Sequence, residues 1–193
     1  KAMPVYNYVG EICVEGIETF EEILDSLKDK TILVLDKCWD CWDKVYALLK
    51  EKDMVDQTIF KFYLKDEEPM VWAKAHKDCI FIPMCGDPEM FPKLLELREH
   101  AGLPAVEILP HAEDEPIFSD ETFRWLEEHH IKVWCNSLSL ARRLVYGAGY
   151  DDLKSLRYGG DKGWGVLIDK GVQILQTDWP HEVACYLKEK KMR

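Results

Sequence analysis

The sequence predicts an α/β protein in which a parallel sheet is covered by helices. Six short apolar stretches alternate with stretches of helical periodicity along the 193 residues. This alternation is typical of parallel strands that are joined by crossover helices. No repeat, linker or low-complexity tract interrupts it, and a single domain commonly has roughly 100–200 residues. We therefore interpret residues 1–193 as one domain.

The six predicted strands are short and rich in β-branched and aromatic residues. Pro83 and Pro110 close two of them, because proline has no N–H group to donate to a neighbouring strand. The strands are predicted at residues 31–35, 58–63, 79–83, 105–109, 131–135 and 172–176.

The helices are predicted from apolar residues at helical spacing and from their starting residues. Thr19 and Glu22 form a T-x-x-E pattern, in which each side chain caps the backbone of the other. The helix that follows contains Ile23, Leu24 and Leu27. Further helices are predicted at residues 40–50, 70–76, 88–101, 119–129, 139–146, 161–169 and 181–190.

The charge of the chain restricts its partners. It has 36 Asp and Glu residues against 25 Lys and Arg residues, and its formal net charge is -11. A surface with this much negative charge repels phosphate backbones and anionic lipids. We therefore expect no nucleic-acid partner. No apolar run reaches the roughly 20 residues that span a bilayer, which argues against an integral membrane protein. A small anionic substrate remains compatible, because a few cations can dominate a recessed pocket.

Cys38 and Cys41 form a C-x-x-C pair after the first predicted strand. A structural zinc site normally needs four ligands, and the chain has no second C-x-x-C. A thiol-redox site at the start of a helix is an alternative, because such sites occupy helix N-termini. The other cysteines are scattered singly, so we expect reduced thiols rather than a disulfide framework.

Two architectures fit the alternation, an open doubly wound sheet and a closed barrel. Neither a G-x-G-x-x-G turn nor a P-loop occurs, so the signatures of dinucleotide and nucleotide binding are missing. A closed barrel of parallel strands needs eight strands and about 250 residues. Six strands are two short of closure.

The final third of the sequence resembles the closing strands of the glycerophosphodiester phosphodiesterase family. That family ends with V-x-V-W-T-V-N, then G-V-D-x-I-x-T-D-x-P and a last helix. The corresponding stretches are IKVWCNSL at 131–138 and GWGVLIDKGVQILQTDWPHEVACYL at 163–187, and the upstream stretch 16–37 resembles the family's third strand and the helix before it. The matching residues are Val133, Trp134, Asn136, Gly171, Val172, Ile174, Thr177, Asp178 and Pro180.

The resemblance implies a TIM-type (βα)8 barrel, of which this chain supplies strands three to eight, about six βα units. The family's first two strands carry a His-Arg-Gly motif, a Glu-x-Asp metal pair and a second histidine. No His-Arg-Gly motif is present, since none of the six histidines is followed by Arg-Gly, and the one Glu-x-Asp tripeptide, Glu51-Lys52-Asp53, follows the helix predicted at 40–50 rather than a strand. We therefore expect the chain to be the later part of a longer protein; the alternative is a degenerate member of the family.

The activity that the resemblance implies is hydrolysis of glycerophosphodiesters to an alcohol and glycerol 3-phosphate, a reaction of lipid metabolism. It uses a divalent cation, Ca²⁺ or Mg²⁺, because an anionic diester repels nucleophiles until its oxygens are neutralised. A general acid must also protonate the leaving alkoxide. The alternatives are a catalytically inactive relative that binds a phosphorylated ligand or a protein partner, and the C-x-x-C thiol protein.

The candidate site residues lie at the carboxyl ends of predicted strands, where barrels of this class carry their active sites. Asp36 matches the metal-binding acid of the family's I-E-I-K strand. Lys37 is a candidate substrate ligand, although it comes one residue early and points the other way on a regular strand. Lys61, between Phe60 and Phe62, is the candidate catalytic cation.

Trp134 and Asn136 are candidate substrate-binding residues, because residues two apart on a strand share a face. The resemblance suggests that Trp134 covers the glycerol and Asn136 hydrogen-bonds it. Asp178 is expected to cap the last helix. His111 follows a strand too, but it lies after Pro110 in an acidic loop, and we do not favour it for catalysis.

Overall fold

A computed structural model describes residues 5–6, 9–13, 17–140 and 145–191. Its strands are β1 (Val5–Tyr6), β2 (Ile12–Cys13), β3 (Leu33–Leu35), β4 (Thr58–Phe60), β5 (Ile80–Phe81), β6 (Met84–Cys85), β7 (Ala105–Ile108), β8 (Lys132–Asn136) and β9 (Ile174–Gln176). Its α-helices are α1 (Phe20–Leu27), α2 (Trp42–Lys52), α3 (Glu67–Ala75), α4 (Pro92–Arg98), α5 (Asp120–Glu128), α6 (Asp152–Tyr158), α7 (Trp164–Lys170) and α8 (Pro180–Glu189). None of these helices is long and apolar enough to cross a membrane.

The predicted capping box at the start of α1 is confirmed. The backbone N–H of Thr19 donates to Oε2 of Glu22 at 2.7 Å, and the N–H of Glu22 donates to Oγ1 of Thr19 at 3.3 Å. Ser119 caps α5 in a similar way, by accepting from the N–H of Thr122. These local signals place the helix starts because they satisfy N–H groups that have no partner within the helix.

The parallel strands follow one another in chain order, as two ladders, β3-β4-β5 and β6-β7-β8-β9. β5 and β6 are the two halves of one segment that is interrupted at Pro83. The N–H of Ile82 donates to the carbonyl of Phe60, the N–H of Met84 to that of Phe62, and the N–H of Glu107 to that of Pro83. The segment therefore links the two ladders into six successive parallel positions, in agreement with the six predicted strands.

The register assigns each strand residue to one of two faces. Phe60, Phe62, Val106, Ile108 and Val133 point outward into the main core between the sheet and the helices. The inner face carries a smaller apolar cluster, formed by Ile82, Ala105 and Trp134 with Ile59 and Ile174 packed against it. Apolar residues thus pack on both faces of the sheet, as expected for parallel strands.

The sheet is open between β3 and β9: among the described residues, no ladder joins these two strands. Ile32, just before β3, is 65% exposed, and Val34, within β3, is 40% exposed. The structure therefore has the predicted α/β architecture with parallel sheets, whereas closure into a (βα)8 barrel stays a prediction. The interpretation of residues 1–193 as one domain also stays a prediction.

Two parts of the chain differ from the prediction. The helix expected at 139–146 falls in part on 141–144, outside the described residues, and Ser139, Leu140, Val145 and Tyr146 are not helical. α6 was not predicted, because Leu153 and Leu156 are exposed and leave no apolar stripe in the sequence.

Candidate functional site

A buried ion pair lies on the inner face of the sheet. Nζ of Lys61, one residue past β4, is 2.6 Å from Oε2 of Glu107 on β7, and each side chain is 2% exposed. Oε2 of Glu107 contacts Lys61 as an ion pair, and no described donor reaches this oxygen with hydrogen-bonding geometry. Lys61 therefore points inward, away from the helices that cover Phe60 and Phe62.

The environment of Glu107 favours its neutral form. Burial raises the pKa of its carboxyl above the ordinary value, and the charge of Lys61 opposes that rise. The negative charge of Asp36 adds to the rise in pKa, so the field of Asp36 reaches the pair. A buried carboxylate costs several kcal/mol, on the order of the desolvation of one ion, unless a cation accompanies it.

Trp134 and Gln176 complete the surroundings of Lys61. Nζ of Lys61 lies 5.0 Å from the ring centroid of Trp134, a cation–π distance, and 3.4 Å from Oε1 of Gln176. Nε1 of Trp134 donates to the same Oε1 at 3.2 Å. The predicted residues Lys61 and Trp134 are thus brought together, by a glutamine on β9.

Asn136 lies at the carboxyl end of β8 and pairs with Gln176 across the ladder. It is buried, and its Oδ1 accepts from the N–H of Leu138 at 2.8 Å. This bond holds the turn that follows β8, because an asparagine side chain can bind the backbone two residues on. Its predicted role in substrate binding is untested by this geometry and stays a prediction.

Asp36 and Lys37 follow β3 and are both exposed. Asp36 stands beside Lys61 in the ladder, since Leu35 pairs with Phe60 and its carbonyl accepts from the N–H of Lys61. Lys37 has a φ of 55°, in the left-handed region, so the strand has ended at this residue. The structure therefore places Asp36 at the rim and Lys61 in the interior.

A cavity of about 300 Å³ opens at the carboxyl edge of the inner face. Tyr63, Met84 and Leu109 line it, and Tyr63 and Met84 belong to the same row as Glu107 in the ladder. Its polar lining is contributed by Lys65, Asp87, His111 and Tyr146, with Cys85 and Met90 nearby. Burial and the negative charges around it raise the pKa of Tyr63.

A second cavity, of about 620 Å³, lies beside the C-x-x-C pair, between the starts of α2 and α3. Cys38 and Cys41 are both free thiols, and Sγ of Cys41 donates to the carbonyl of Cys38 at 3.2 Å. Burial raises the pKa of Cys38 above its ordinary value. Redox-active C-x-x-C sites have a lowered thiol pKa, so this environment disfavours the thiol-redox alternative.

Asp152, at the start of α6, holds the loops at this edge together. It is fully buried, and its Oδ1 accepts from the side chains of Ser137, Trp164 and Thr177 at 2.7, 2.7 and 2.8 Å. Its Oδ2 accepts from the N–H of Asp178 at 3.0 Å. The expected cap of the last helix by Asp178 is wrong, since α8 begins without a side-chain cap.

The described residues do not assemble a complete cation site. They contain no group of three or more His, Cys, Asp or Glu side chains placed to hold a metal ion. Ca²⁺ takes six to eight oxygen ligands and Mg²⁺ takes six, whereas Asp36 offers one carboxylate and Glu107 is engaged by Lys61. These residues therefore do not fit a bound divalent cation on their own.

Glu107 and Gln176 are the site residues that the sequence interpretation missed. A signal for Glu107 was present, because it interrupts the apolar strand between Val106 and Ile108 just as Lys61 interrupts its own. Two opposite charges, each enclosed by apolar strand residues, indicate a buried pair. Gln176 carries no such signal, because a polar residue at a strand end is ordinary.

Comparison with known proteins supports the fold. The structure is similar to a crystal structure of a glycerophosphoryl diester phosphodiesterase from Parabacteroides distasonis ATCC 8503, with a TM-score of 0.72 and 17% sequence identity. The match covers 97% of this chain and 61% of that one, so the chain spans less than two thirds of the length of that protein. No curated protein matches the sequence.

A protein-family model also matches the sequence. The model is described as a domain of unknown function, DUF4996, and it matches residues 83–187, more than half of the chain. This stretch runs from the segment of β6 to α8, and it includes Glu107, Trp134, Asn136 and Gln176. The chain belongs to the DUF4996 family.

Proposed function

We propose that this chain forms most of the barrel of a phosphodiester hydrolase that cleaves glycerophosphodiesters to an alcohol and glycerol 3-phosphate. One observation carries the proposal. A cavity lined by cationic and proton-carrying side chains lies at the carboxyl edge of the sheet, in a fold shared with a glycerophosphoryl diester phosphodiesterase. In barrels of parallel strands, active sites are built at this edge.

The proposed barrel is closed by two further strands between β3 and β9. The exposed apolar side chains of Ile32 and Val34 support this closure, because they lie at the open edge and would be buried by a neighbour. The contact between Lys61 and Gln176 supports it too. This contact joins the segment of β4, at the second parallel position, to β9, at the sixth. Such a distance can be bridged only if the sheet curls toward itself.

The proposed roles follow the position of each residue. Lys65 and Lys37 are exposed cations at the carboxyl edge and neutralise the phosphate. Trp134 covers the glycerol and Asn136 hydrogen-bonds it, from neighbouring positions on one face of β8. Lys61, predicted as the catalytic cation, is covered by Glu107 and Trp134. We assign it the role of stabilising negative charge on the substrate from below the cavity, without direct contact.

Asp36 is proposed as one ligand of a divalent cation, since its carboxylate is exposed at the rim. Carboxylate oxygens suit Ca²⁺ and Mg²⁺. The cation would neutralise the phosphate oxygens when bound. The described residues do not complete the site of this cation.

Hydrolysis is tested with the purified full-length protein that contains this chain and with glycerophosphocholine, with glycerol 3-phosphate as the measured product, in Ca²⁺, Mg²⁺ or EDTA. We expect product with a cation, and its loss in EDTA. Asp36→Asn should reduce the rate at least tenfold. Asp56→Asn, an exposed acid two residues before β4 at the opposite edge, is the matched control and should leave the rate unchanged.

Two outcomes would replace the proposal. Binding of glycerol 3-phosphate without any hydrolysis would favour the catalytically inactive relative. Loss of hydrolysis on replacing both Cys38 and Cys41 by serine would favour thiol chemistry; we expect the double variant to retain the wild-type rate.

A further inference from the structure

Gln176 is the last residue of β9, and its side chain faces the interior of the sheet. Ile174 packs in the inner-face cluster with Trp134, and residues two apart on a strand share a face. Asn136 pairs with Gln176 at the end of β8, so both residues stand at the carboxyl edge. Gln176 is half-buried, whereas Lys61 is 2% exposed. The glutamine is therefore the part of this polar region that a ligand can reach.

The neighbours of Gln176 fix the orientation of its amide group. Nζ of Lys61 lies 3.4 Å from Oε1, and Nε1 of Trp134 lies 3.2 Å from the same oxygen. An ammonium group and an indole N–H can only donate, so the amide atom that faces them is the oxygen. The two N–H bonds of Nε2 therefore point away from Lys61 and Trp134.

Nε2 of Gln176 keeps its donors available. The side-chain hydrogen bonds that Gln176 makes with described residues both go to Oε1. Among the described residues, the buried side-chain atoms without a hydrogen-bond partner are Nε1 of Trp42 and Oε2 of Glu107. Nε2 of Gln176 is thus open to solvent. A group that only donates needs a ligand atom that accepts, such as an oxygen of a phosphate.

The charge of Lys61 strengthens these donors. An amide whose oxygen accepts from an ammonium group is polarised, so its N–H groups become better donors. Lys61 itself is enclosed by Glu107 and Trp134, so the amide of Gln176 carries its influence to the ligand side. Hydrogen bonds to an ionised acceptor are roughly twice as strong as those between neutral groups. Nε2 therefore suits an anionic oxygen better than a hydroxyl group.

We propose that Gln176 is a substrate-binding residue, whose Nε2–H groups donate to an unesterified oxygen of the phosphate; this inference rests on the proposed function for the identity of the ligand. The closing pattern G-V-D-x-I-x-T-D-x-P leaves this position unspecified, so the resemblance assigns no role to Gln176. The unesterified oxygens are charged before the phosphate reacts. The contact therefore contributes to binding rather than to the chemical step.

The test is the affinity of the full-length protein for inorganic phosphate and for glycerol 3-phosphate, measured by calorimetry in two variants. Gln176→Glu keeps an oxygen for Lys61 and Trp134 but replaces the N–H groups by a second oxygen. Gln176→Met is neutral and has no N–H group. We expect each variant to weaken both ligands at least about tenfold, the loss of one hydrogen bond to a charged group. For glycerophosphocholine, KM should rise by a similar factor while kcat changes less than about threefold.

Gln173→Glu is the matched control. Gln173 is exposed just before β9, at the amino edge, and its Oε1 accepts from the N–H of Val133 at 2.7 Å. A glutamate at this position keeps that acceptor and adds the same charge as Gln176→Glu, at the opposite end of the strand. It should bind both ligands with wild-type affinity.

Each contrary result identifies a different error. Unchanged affinity in Gln176→Glu would mean that the glutamine only positions Lys61 and Trp134, and would overturn the inference. Wild-type affinity in Gln176→Met, with weak binding in Gln176→Glu, would indicate long-range repulsion and overturn it too. Weaker binding of glycerol 3-phosphate with unchanged binding of phosphate would place the contact at the glycerol hydroxyls and overturn it as well.

The same measurement separates the inference from the proposed function. A wild type that binds both ligands but hydrolyses no diester would overturn the proposed function and leave the phosphate contact of Gln176 standing. A wild type that hydrolyses the diester, with variants of unchanged affinity, would overturn the inference alone. A wild type that binds neither ligand would overturn the inference.

A second measurement does not depend on turnover. The side-chain amide signals of Gln176 are followed by NMR while inorganic phosphate is added, and their absence in Gln176→Met assigns them. We expect these signals to move and those of Gln173 to stay. Gln176 signals that stay while other signals report binding would overturn the contact.

Discussion

Lys61 and Glu107 lie on strands that are separated by the segment of β5 and β6, yet Nζ and Oε2 are 2.6 Å apart. The two side chains meet over that segment on the inner face. Lys61 also reaches Gln176 on β9, four strand positions away, and this second contact requires a concave inner face. Lys61 and its partners therefore form a polar region in the interior of a curved sheet, below its carboxyl edge.

Replacing Lys61 by methionine should destabilise the fold. The substitution leaves Glu107 buried without its cation, and breaking one side of a buried pair commonly costs about 3–5 kcal/mol. The loss, measured by urea unfolding at neutral pH, should shrink in acid, because burial raises the pKa of Glu107 and favours its neutral form. Lys61→Met with Glu107→Leu should recover most of the loss; a double variant no more stable than the single one would contradict this account. The exposed Lys132→Met is the control and should change stability by less than about 0.5 kcal/mol.

Asp152→Asn should be destabilising despite its small change in shape. Oδ1 accepts from three donors and Oδ2 from a fourth, and an amide group must turn its own N–H toward donors. We expect a loss of at least about 2 kcal/mol, since each hydrogen bond to a buried charged group is worth about 1.5–3 kcal/mol. Thermal unfolding measures it, with the exposed Asp169→Asn as the neutral control. Equal melting temperatures of the two variants would argue against the role of Asp152 in holding these loops together.

Gly147→Ala should be destabilising because of both backbone and space. Gly147 has a φ of +60°, and an added Cβ would lie 2.9 Å from the carbonyl oxygen of Asn136. The left-handed conformation alone costs about 1–2 kcal/mol for other residues. Gly86→Ala is the matched control, because a Cβ there meets nothing within 4 Å. Urea unfolding of the two variants side by side gives the answer, and similar midpoints would refute the expectation.

The buried cysteines should resist thiol reagents in the folded protein. Burial raises the pKa of Cys79 and of Cys135 from 9.0 to about 12, and that of Cys85 to about 11. Because these folded-state values are raised, the stability that they contribute is complete below pH 9 and is lost as the pH rises toward 11 and 12. At pH 8, Cys41→Ser and Cys185→Ser should each remove one fast-reacting thiol, since both cysteines are exposed. Cys135→Ser should remove none until the protein is unfolded; fast labelling of Cys135 would contradict its burial.

Local sequence signals predicted much of the fold. The capping box of Thr19 and Glu22 fixed the start of α1, and six apolar stretches gave the six parallel positions in the correct order. These features depend on residues a few positions apart, so they can be read along the chain. α6 escaped prediction because it has no apolar stripe and because Asp152 is held by partners that are distant in the chain.

The candidate site was predicted only in part. Lys61 and Trp134 were singled out, and the structure brings them together. Glu107 was missed although its sequence context matched that of Lys61, since a charge in an apolar strand indicates a buried partner without naming it. The cavity with His111 could not be found from spacing, because its lining comes from several strand ends.

The sequence by itself determined the alternation of strands and helices, the parallel sheet and the strand ends that carry polar residues, because each depends on periodicity and local capping. Only the tertiary structure decided that Lys61 pairs with Glu107 rather than Asp36, and that His111 shares a cavity with Tyr63. The curvature of the inner face sets those contacts, and curvature arises from packing among residues that are far apart in the chain.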